Sequence, residues 1–333
     1  MNKGFILTSL IALLLVAVLI RQIGIVNVYD AVVAISWGII PVIIIHIIQV
    51  IFCGLAWKKL VPGETNPTIT QFFISRWIRE SVASLLPVAQ IGGEVLGART
   101  LTLFKVSGVN AAASVIADLT IEVVTLFIFT LAALGLLVLQ TNIQHEIIRS
   151  LIFGLLVATP LMIIFLAVQR YGLLRWIESL SMWISKQSSL LKLVEFEGLH
   201  AATHSIYNQY VSLLKAAGLH LIAWLGGALE VWLILYFIDA PVTMTEALIL
   251  ESLGIAIRSA AFFLPGGLGA QEGGFIFLGT LFGLPPHIGL ALSLIKRCRE
   301  LLLGLPGLLY WQKLEARHIN DKQQHLLQPD AGK

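Results

Sequence analysis

Charged residues are scarce in this chain. Only 12% of its 333 residues are charged, whereas 57% are hydrophobic, and the mean hydropathy is +0.89. This composition is typical of polytopic α-helical membrane proteins and leaves little sequence for a soluble domain. Basic patches with interleaved aromatic residues are also missing, so the sequence gives no support for nucleic-acid binding.

Cysteine and catalytic motifs are also scarce. The only two cysteines, Cys53 and Cys298, lie in apolar surroundings, and we interpret them as packing residues. The sequence contains no Ser-His-Asp pattern, phosphate-binding loop or paired-cysteine zinc motif. We therefore expect a protein that is not an enzyme and that uses no cofactor or metal. The missing phosphate-binding loop also disfavours an ATP-driven pump.

Two stretches rich in proline and glycine interrupt the apolar sequence. Residues 84–94 read SLLPVAQIGGE and residues 262–274 read FFLPGGLGAQEGG. When the sequence is aligned with itself, one offset pairs Pro87 with Pro265 and Glu94 with Glu272. Proline lacks an amide donor and glycine weakens a helix, so each stretch predicts a broken helix. In hydrocarbon such a break is tolerated where it is buried in protein or lines a polar cavity. The alternative is a pair of tight, solvated turns.

The same shift superimposes the segments around the breaks, which predicts two repeats, at residues 36–139 and 213–311. Broken helices at matching positions of two repeats indicate the central site of a transporter. The predicted fold class is an all-α polytopic membrane protein with inverted repeats, about six spanning helices and two re-entrant broken-helix hairpins.

Four further segments complete the predicted organisation. They are a first transmembrane helix at 1–24, a connecting span at 150–168, an amphipathic surface helix at 170–204 and a polar cytoplasmic tail without predicted structure at 315–333. A linker helix packed on the spans is the alternative for residues 170–204. Lysine and arginine concentrate on one predicted face, which places both termini in the cytoplasm.

Ionisable residues within the apolar segments are candidate functional groups. The predicted substrate path consists of the two breaks and nearby charged residues: Pro87, Gln90, Gly92, Gly93, Glu94, Arg258, Pro265, Gly266, Gly267, Gly269, Gln271, Glu272, Lys296, Arg299 and Glu300. Because arginine binds phosphate with two parallel hydrogen bonds, basic members of this set are candidates for contact with a lipid head group. The alternative is that these groups, with Asp118, Glu122 and Glu230, form ion pairs that hold helices together.

Two histidines and a glutamate suggest a separate hypothesis, a metal site. Glu197, His200 and His204 share one helix face, and a metal-dependent membrane enzyme would use such a set. No further ligand is evident in the sequence. His46 and His220 stand alone on apolar spans and are interpreted as hydrogen-bonded core histidines or as polar contacts in a substrate path.

The second break resembles a known family. The sequence LPGGLGAQEGG at 264–274, FGLPP at 282–286 and the leucine-rich last span resemble the transmembrane region of lysylphosphatidylglycerol synthases and flippases. The resemblance implies a bacterial membrane domain that translocates lipids, and the isolated membrane domain also resembles the subgroup associated with hopanoid biosynthesis. Full-length lysyl-transferring members carry a large soluble synthase domain after this region, so we expect this chain not to aminoacylate lipids.

Together these observations predict a transporter or flippase of the bacterial inner membrane. Its partners are membrane lipids, and its substrate is an amphipathic lipid of phospholipid or hopanoid type that passes through a polar cavity between the repeats. The alternative is a non-catalytic membrane scaffold that holds lipid-modifying or hopanoid-biosynthetic enzymes.

Overall fold

The structure, a computed structural model, describes residues 33–62, 67–86, 89–139, 149, 198–260 and 269–327, with side chains omitted for residues 89–91 and 321–327. This part of the chain is helical and contains no strand. After a 3₁₀ turn at Ser36–Gly38, the helices are α1 (Ile39–Lys58), α2 (Ile69–Leu85), α3 (Ala89–Leu103), α4 (Gly108–Leu139), α5 (Leu199–Tyr207), α6 (Tyr210–Phe237), α7 (Met244–Ala260), α8 (Ala270–Leu281) and α9 (Pro286–Leu327).

Three of these helices are long and apolar enough to cross a membrane. They lie in the segments Val33–Lys58, Gly108–Leu139 and Tyr210–Phe237, whose mean hydropathies are 2.6, 2.5 and 1.7. Large apolar side chains remain exposed on them, as Ile40, Ile44 and Ile48 do along one stripe of α1. A lipid environment would cover these side chains, since a stripe at this spacing follows one face of a helix. The predicted all-α membrane fold class is confirmed.

The last predicted span lies within α9, which differs from the other spans. Four charged residues lie near the middle of the predicted span, and each is at most 8% exposed: Lys296, Arg297, Arg299 and Glu300. The helix also continues to Leu327, through most of the predicted tail. The expectation of a tail without structure is therefore wrong as far as residue 327, because residues 313–327 are rich in Lys, Glu, Ala, Gln and Leu, which favour helix.

The remaining predicted segments lie largely outside the described residues. This holds for the transmembrane helix at 1–24, for the span at 150–168 and for most of the surface helix at 170–204. The end of that predicted helix falls in α5, which packs against α4. Leu199, Thr203 and Ile206 form the buried face of α5.

Two helical hairpins lie between the spans. The first consists of α2 and α3, and the second of α7 and α8. Thr68 begins α2 with a capping box, in which its hydroxyl accepts from the amide of Gln71 and the Gln71 side chain accepts from the amide of Thr68. The two arms of the first hairpin contain 17 and 15 residues. At 1.5 Å per residue they are about 25 Å and 22 Å long, shorter than the ~30 Å hydrocarbon layer.

The helices follow the same order in both parts of the chain, and several of their start and end residues correspond. The shift that brings Pro87 onto Pro265 also brings the start of α4 onto the start of α9 and the end of α3 onto the end of α8. The same shift relates α1 to α6 and α2 to α7. Helices α1–α4 are called the first half below, and α6–α9 the second half. The pairs α2–α9 and α7–α4 are both in contact, and α1 packs along its counterpart α6. Exchanging the two halves therefore leaves these helix contacts unchanged.

The largest apolar core joins the two halves. It includes Leu85 of α2, Leu253 of α7, Phe275 of α8 and Ile295 of α9. These side chains come from both hairpins and from α9, so the core packs the hairpins against α9. The ionisable groups described below are thereby held at defined positions between the halves.

Gly93 provides a test of the hairpin packing. A Cβ atom at this position would lie 2.6 Å from the Arg79 carbonyl oxygen and 2.9 Å from the Ala83 Cβ, so α2 and α3 approach closely there. We expect Gly93→Ala to force the arms apart and to lower stability by about 1–3 kcal/mol, the usual cost of overpacking. Thermal unfolding of the purified protein in detergent measures the change.

Gly135→Ala in α4 is the matched control, since a Cβ atom there would meet no atom within 4 Å. We expect this change to be neutral or slightly stabilising, because alanine favours helix over glycine. Equal destabilisation by the two substitutions would contradict the proposed close contact at Gly93.

Candidate functional site

A polar cavity of about 250 Å³ lies between the two halves of the molecule. Among the helices that the structure describes, all except α5 contribute to its wall. The acidic, basic and histidine side chains that line it are His46, Arg76, Arg79, Glu80, Glu94, Glu122, Glu251, Arg258, Lys296, Arg299 and Glu300. Concave sites with convergent polar groups are the usual form of a small-molecule binding site.

The structure brings part of the predicted substrate path to this cavity. Glu94, Arg258, Gln271, Lys296, Arg299 and Glu300 line it. Gly92, Gly93 and Gly269 are not in its wall, and neither is Glu272. Pro87, Pro265, Gly266 and Gly267 lie outside the described residues, and position 90 belongs to α3 although the Gln90 side chain is not described.

The two glutamates that the repeat equates have different surroundings. Glu94 lines the cavity and forms an ion pair with Arg79, whose Nε atom lies 2.7 Å from the Glu94 carboxylate. Glu272 instead accepts a hydrogen bond from the Gly269 amide at 2.6 Å and pairs with Arg297 at 3.3 Å. Its carboxylate therefore closes the N-terminus of α8, where an anion is favourable.

The first charge cluster joins α2 to α3, α4 and α6. The Arg76 guanidinium donates two hydrogen bonds to Glu122, at 2.8 and 2.9 Å, in the fork geometry that suits a carboxylate. Arg79 donates to Asp118 at 2.5 Å, and His220 lies 3.0 Å from the other oxygen of Asp118. With Glu94, the cluster contains two guanidinium groups, three carboxylates and one histidine.

The second charge cluster joins α9 to α1, α2, α6 and α7. Arg299 donates to the fully buried Glu230 at 2.5 and 2.6 Å, and Gln49 donates to the same carboxylate at 3.0 Å. Arg258 donates to Glu300 at 2.5 Å. It also donates to Gln271 at 2.7 Å, and Lys296 pairs with Glu251.

His46 connects the second cluster to α2. Its Nε2 atom lies 2.6 Å from the Glu80 carboxylate. Its Nδ1 atom lies 2.8 Å from an Arg299 nitrogen and 3.4 Å from the Glu230 carboxylate. The histidine thus contacts helices of both halves at once.

Each basic side chain in the cavity wall already has a carboxylate partner. This bears on the head-group hypothesis, since Arg258, Lys296 and Arg299 are bound to Glu300, Glu251 and Glu230. A lipid phosphate must therefore compete with these carboxylates rather than meet free cations. Buried charges are retained in proteins when they are paired in this way.

Sequence reasoning did not assign Arg76, Arg79 or Glu80 to the path, and it left His46 open between a core histidine and a polar contact in the path. Arg76, Arg79 and Glu80 carried a detectable signal, because positions 76, 79 and 80 share one face of α2, three and four residues apart. The partners of His46 depend on packing between α1 and α9, which sequence spacing does not reveal.

The described residues contain no group of three His, Cys, Asp or Glu side chains placed to hold a metal ion. Glu197, one member of the predicted metal set, lies outside them. His204 contacts the Asn208 amide through its Nδ1 atom at 3.1 Å. The metal hypothesis therefore gains no support from the described part of the chain.

Glu230 tests the importance of the buried ion pairs. Removing one partner of a buried pair leaves the other charge uncompensated, so we expect Glu230→Gln to cost on the order of 3 kcal/mol. The control is Glu315→Gln, which affects the Arg99–Glu315 pair, where the Arg99 side chain is 43% exposed. An exposed pair contributes about 0–1 kcal/mol. Thermal unfolding in detergent should separate the two variants, and similar midpoints would contradict the assignment.

Comparison with known proteins agrees with this architecture. The family described as the lysylphosphatidylglycerol synthase TM region matches residues 5–307, which is most of the chain. No curated protein and no solved structure matches this chain. The family match does not distinguish the subgroup associated with hopanoid biosynthesis. This chain belongs to the lysylphosphatidylglycerol synthase transmembrane-region family, a family of multi-pass membrane proteins related to lipid metabolism.

Proposed function

We propose that this protein is a lipid transporter that moves an amphipathic lipid of phospholipid or hopanoid type between the two leaflets of the bacterial inner membrane. One observation carries the proposal: a cavity walled by ionisable side chains from both halves lies within a bundle of apolar helices. A lipid head group crosses hydrocarbon only if polar groups replace its water, while the tail remains in the bilayer. A cavity of this kind supplies such groups, without any covalent step.

The accessible members of the two clusters are the proposed head-group contacts. The side chains of Glu80, Arg258 and Glu94 are 32%, 24% and 19% exposed, whereas Glu230 and Asp118 are completely buried. A head group entering the cavity therefore meets Arg258 and Glu94 before it meets the buried pairs. Exchange of one carboxylate partner for a lipid phosphate keeps Arg258 paired, so the exchange avoids an isolated buried charge.

The repeat supplies a route for alternating exposure. We propose that the two halves are inverted across the membrane, with both termini in the cytoplasm. The contacts α2–α9 and α7–α4 support a two-fold relation between the halves, because an exchange of the halves converts one into the other. In transporters with inverted repeats, rocking of one half against the other opens a central site to each side in turn.

Reconstitution in liposomes tests the proposal. Purified protein is incorporated with labelled anionic, zwitterionic or triterpenoid lipids, and movement between leaflets is followed by chemical quenching of the outer label. We expect wild type to accelerate movement of at least one lipid class. Glu94→Gln and Arg258→Gln should reduce this rate at least about tenfold, as expected if each contact contributes about 1.4 kcal/mol to the path.

Surface variants serve as controls. Glu315→Gln and Arg99→Gln remove the same charges from an ion pair that is not in the cavity wall. Both should retain the wild-type rate. Absence of movement with every lipid class, from protein that is folded by thermal unfolding, would contradict transport. Co-purification of a lipid-modifying enzyme would then favour the scaffold interpretation.

A further inference from the structure

We propose that lipid movement is coupled to proton binding and that His46 is the proton-binding site. The inference rests on the proposed transport function and adds a driving force to it. It comes from the position of one imidazole, which lines the cavity and contacts charged groups of both halves of the molecule.

The partners of His46 determine which nitrogen carries the proton. The Nδ1 atom lies 2.8 Å from an Arg299 nitrogen, and a guanidinium can only donate. Nδ1 must therefore accept, which leaves Nε2 as the N–H that donates to Glu80 at 2.6 Å. The arrangement in the structure is thus that of a neutral imidazole.

Proton uptake at His46 is incompatible with this arrangement. A proton from water in the cavity would bind the Nδ1 lone pair and convert it to an N–H group, giving an imidazolium with one added positive charge. The Arg299 donor then faces another donor and a like charge at a distance of 2.8 Å. Arg299 must withdraw, while the new N–H faces the Glu230 carboxylate, now 3.4 Å away.

The charges around His46 favour such an exchange. From α2, Glu80 faces the imidazole, with Arg76 behind it, and from α6 Glu230 faces it. From α9, Arg299 faces it, and Lys296 acts on Glu230 from farther away. The acidic groups of α4 are bound to Arg76 and Arg79 and do not contact His46. The carboxylates of Glu80 and Glu230 can therefore stabilise the imidazolium once Arg299 has moved.

The affected contact joins the two halves. His46 belongs to α1 in the first half, whereas Arg299 belongs to α9 in the second. Proton binding therefore replaces the His46–Arg299 contact between the halves by a His46–Glu230 contact, and such a rearrangement favours a different arrangement of the two halves. His220, the other histidine in the charge clusters, is fully buried and absent from the cavity wall, so cavity water does not reach it directly.

A pH gradient across reconstituted liposomes tests the coupling. With one proton coupled to each lipid, one pH unit should bias the steady-state distribution of the transported lipid by up to about tenfold, and the bias should reverse with the gradient. His46→Gln should abolish the bias, because glutamine still accepts from Arg299 and donates to Glu80 but binds no proton. His204→Gln, on the exposed surface of α5, should keep the wild-type bias.

The possible outcomes are distinguishable. Lipid movement without a pH-dependent bias in wild type, or an equal bias in His46→Gln, would overturn the coupling while leaving transport intact. Absence of lipid movement in wild type overturns the proposed transport and the coupling together. Proton influx reported by a pH dye inside the liposomes should accompany lipid movement in wild type and be lost in His46→Gln.

A second measurement does not require transport or a stable variant in liposomes. Histidine-selective isotope labelling gives NMR signals for the imidazoles of wild type in detergent, and the signal missing from His46→Gln identifies His46. We expect this signal to move reversibly between the neutral and imidazolium positions as pH falls. A signal that stays at the neutral position until the protein unfolds would overturn the proposal. If His46→Gln does not fold, His46→Asn provides the assignment.

Discussion

An ionised side chain that is buried among apolar helices must have a partner of opposite charge, and this requirement organises the molecule. Desolvation of an isolated charge costs more free energy than a marginally stable fold can supply. The pairs Arg76–Glu122, Arg79–Asp118, Arg299–Glu230 and Arg258–Glu300 meet the requirement by joining helices that are distant in sequence. The same pairs position the hairpins against the spans, so the site and the scaffold are one structure.

The requirement also limits what the cavity can bind. In each charge cluster the carboxylates outnumber the arginines and lysines, and each cluster contains one histidine. In the proposed transport, a head group would be recognised by exchange of partners among paired charges, and its own charge would decide which pair opens. A protonated histidine would bring each cluster to neutrality, so the proposed proton uptake and substrate binding would act on the same set of contacts.

Much of the fold could be predicted from the sequence, because helix length, apolar runs and proline or glycine breaks are local properties. The bounds of α1, α4 and α6 follow from hydropathy, and the shift between the breaks relates the helices of the two halves. The roles of individual charged residues followed less well. Glu94 and Glu272 correspond in the repeat, yet α3 begins at Ala89 and α8 begins only at Ala270. Glu272 thus falls in the first turn and caps its own helix, whereas Glu94 lies one turn deeper and reaches Arg79 and the cavity.

The repeat also shows that the two halves are unequal in charge. The shift that equates the breaks places Arg258 at the position of Glu80 and Lys296 at that of Asp118, while glutamate is kept at the positions of Glu94 and Glu122. If the halves exchanged conformations with identical charges, the two exposed states would have equal energies. Sign reversal at two of these positions removes that equality, because the same movement separates different ion pairs in each half. The proposed transporter would therefore have a preferred resting state, and the proposed proton binding at His46, present in one half only, would provide a means to leave it.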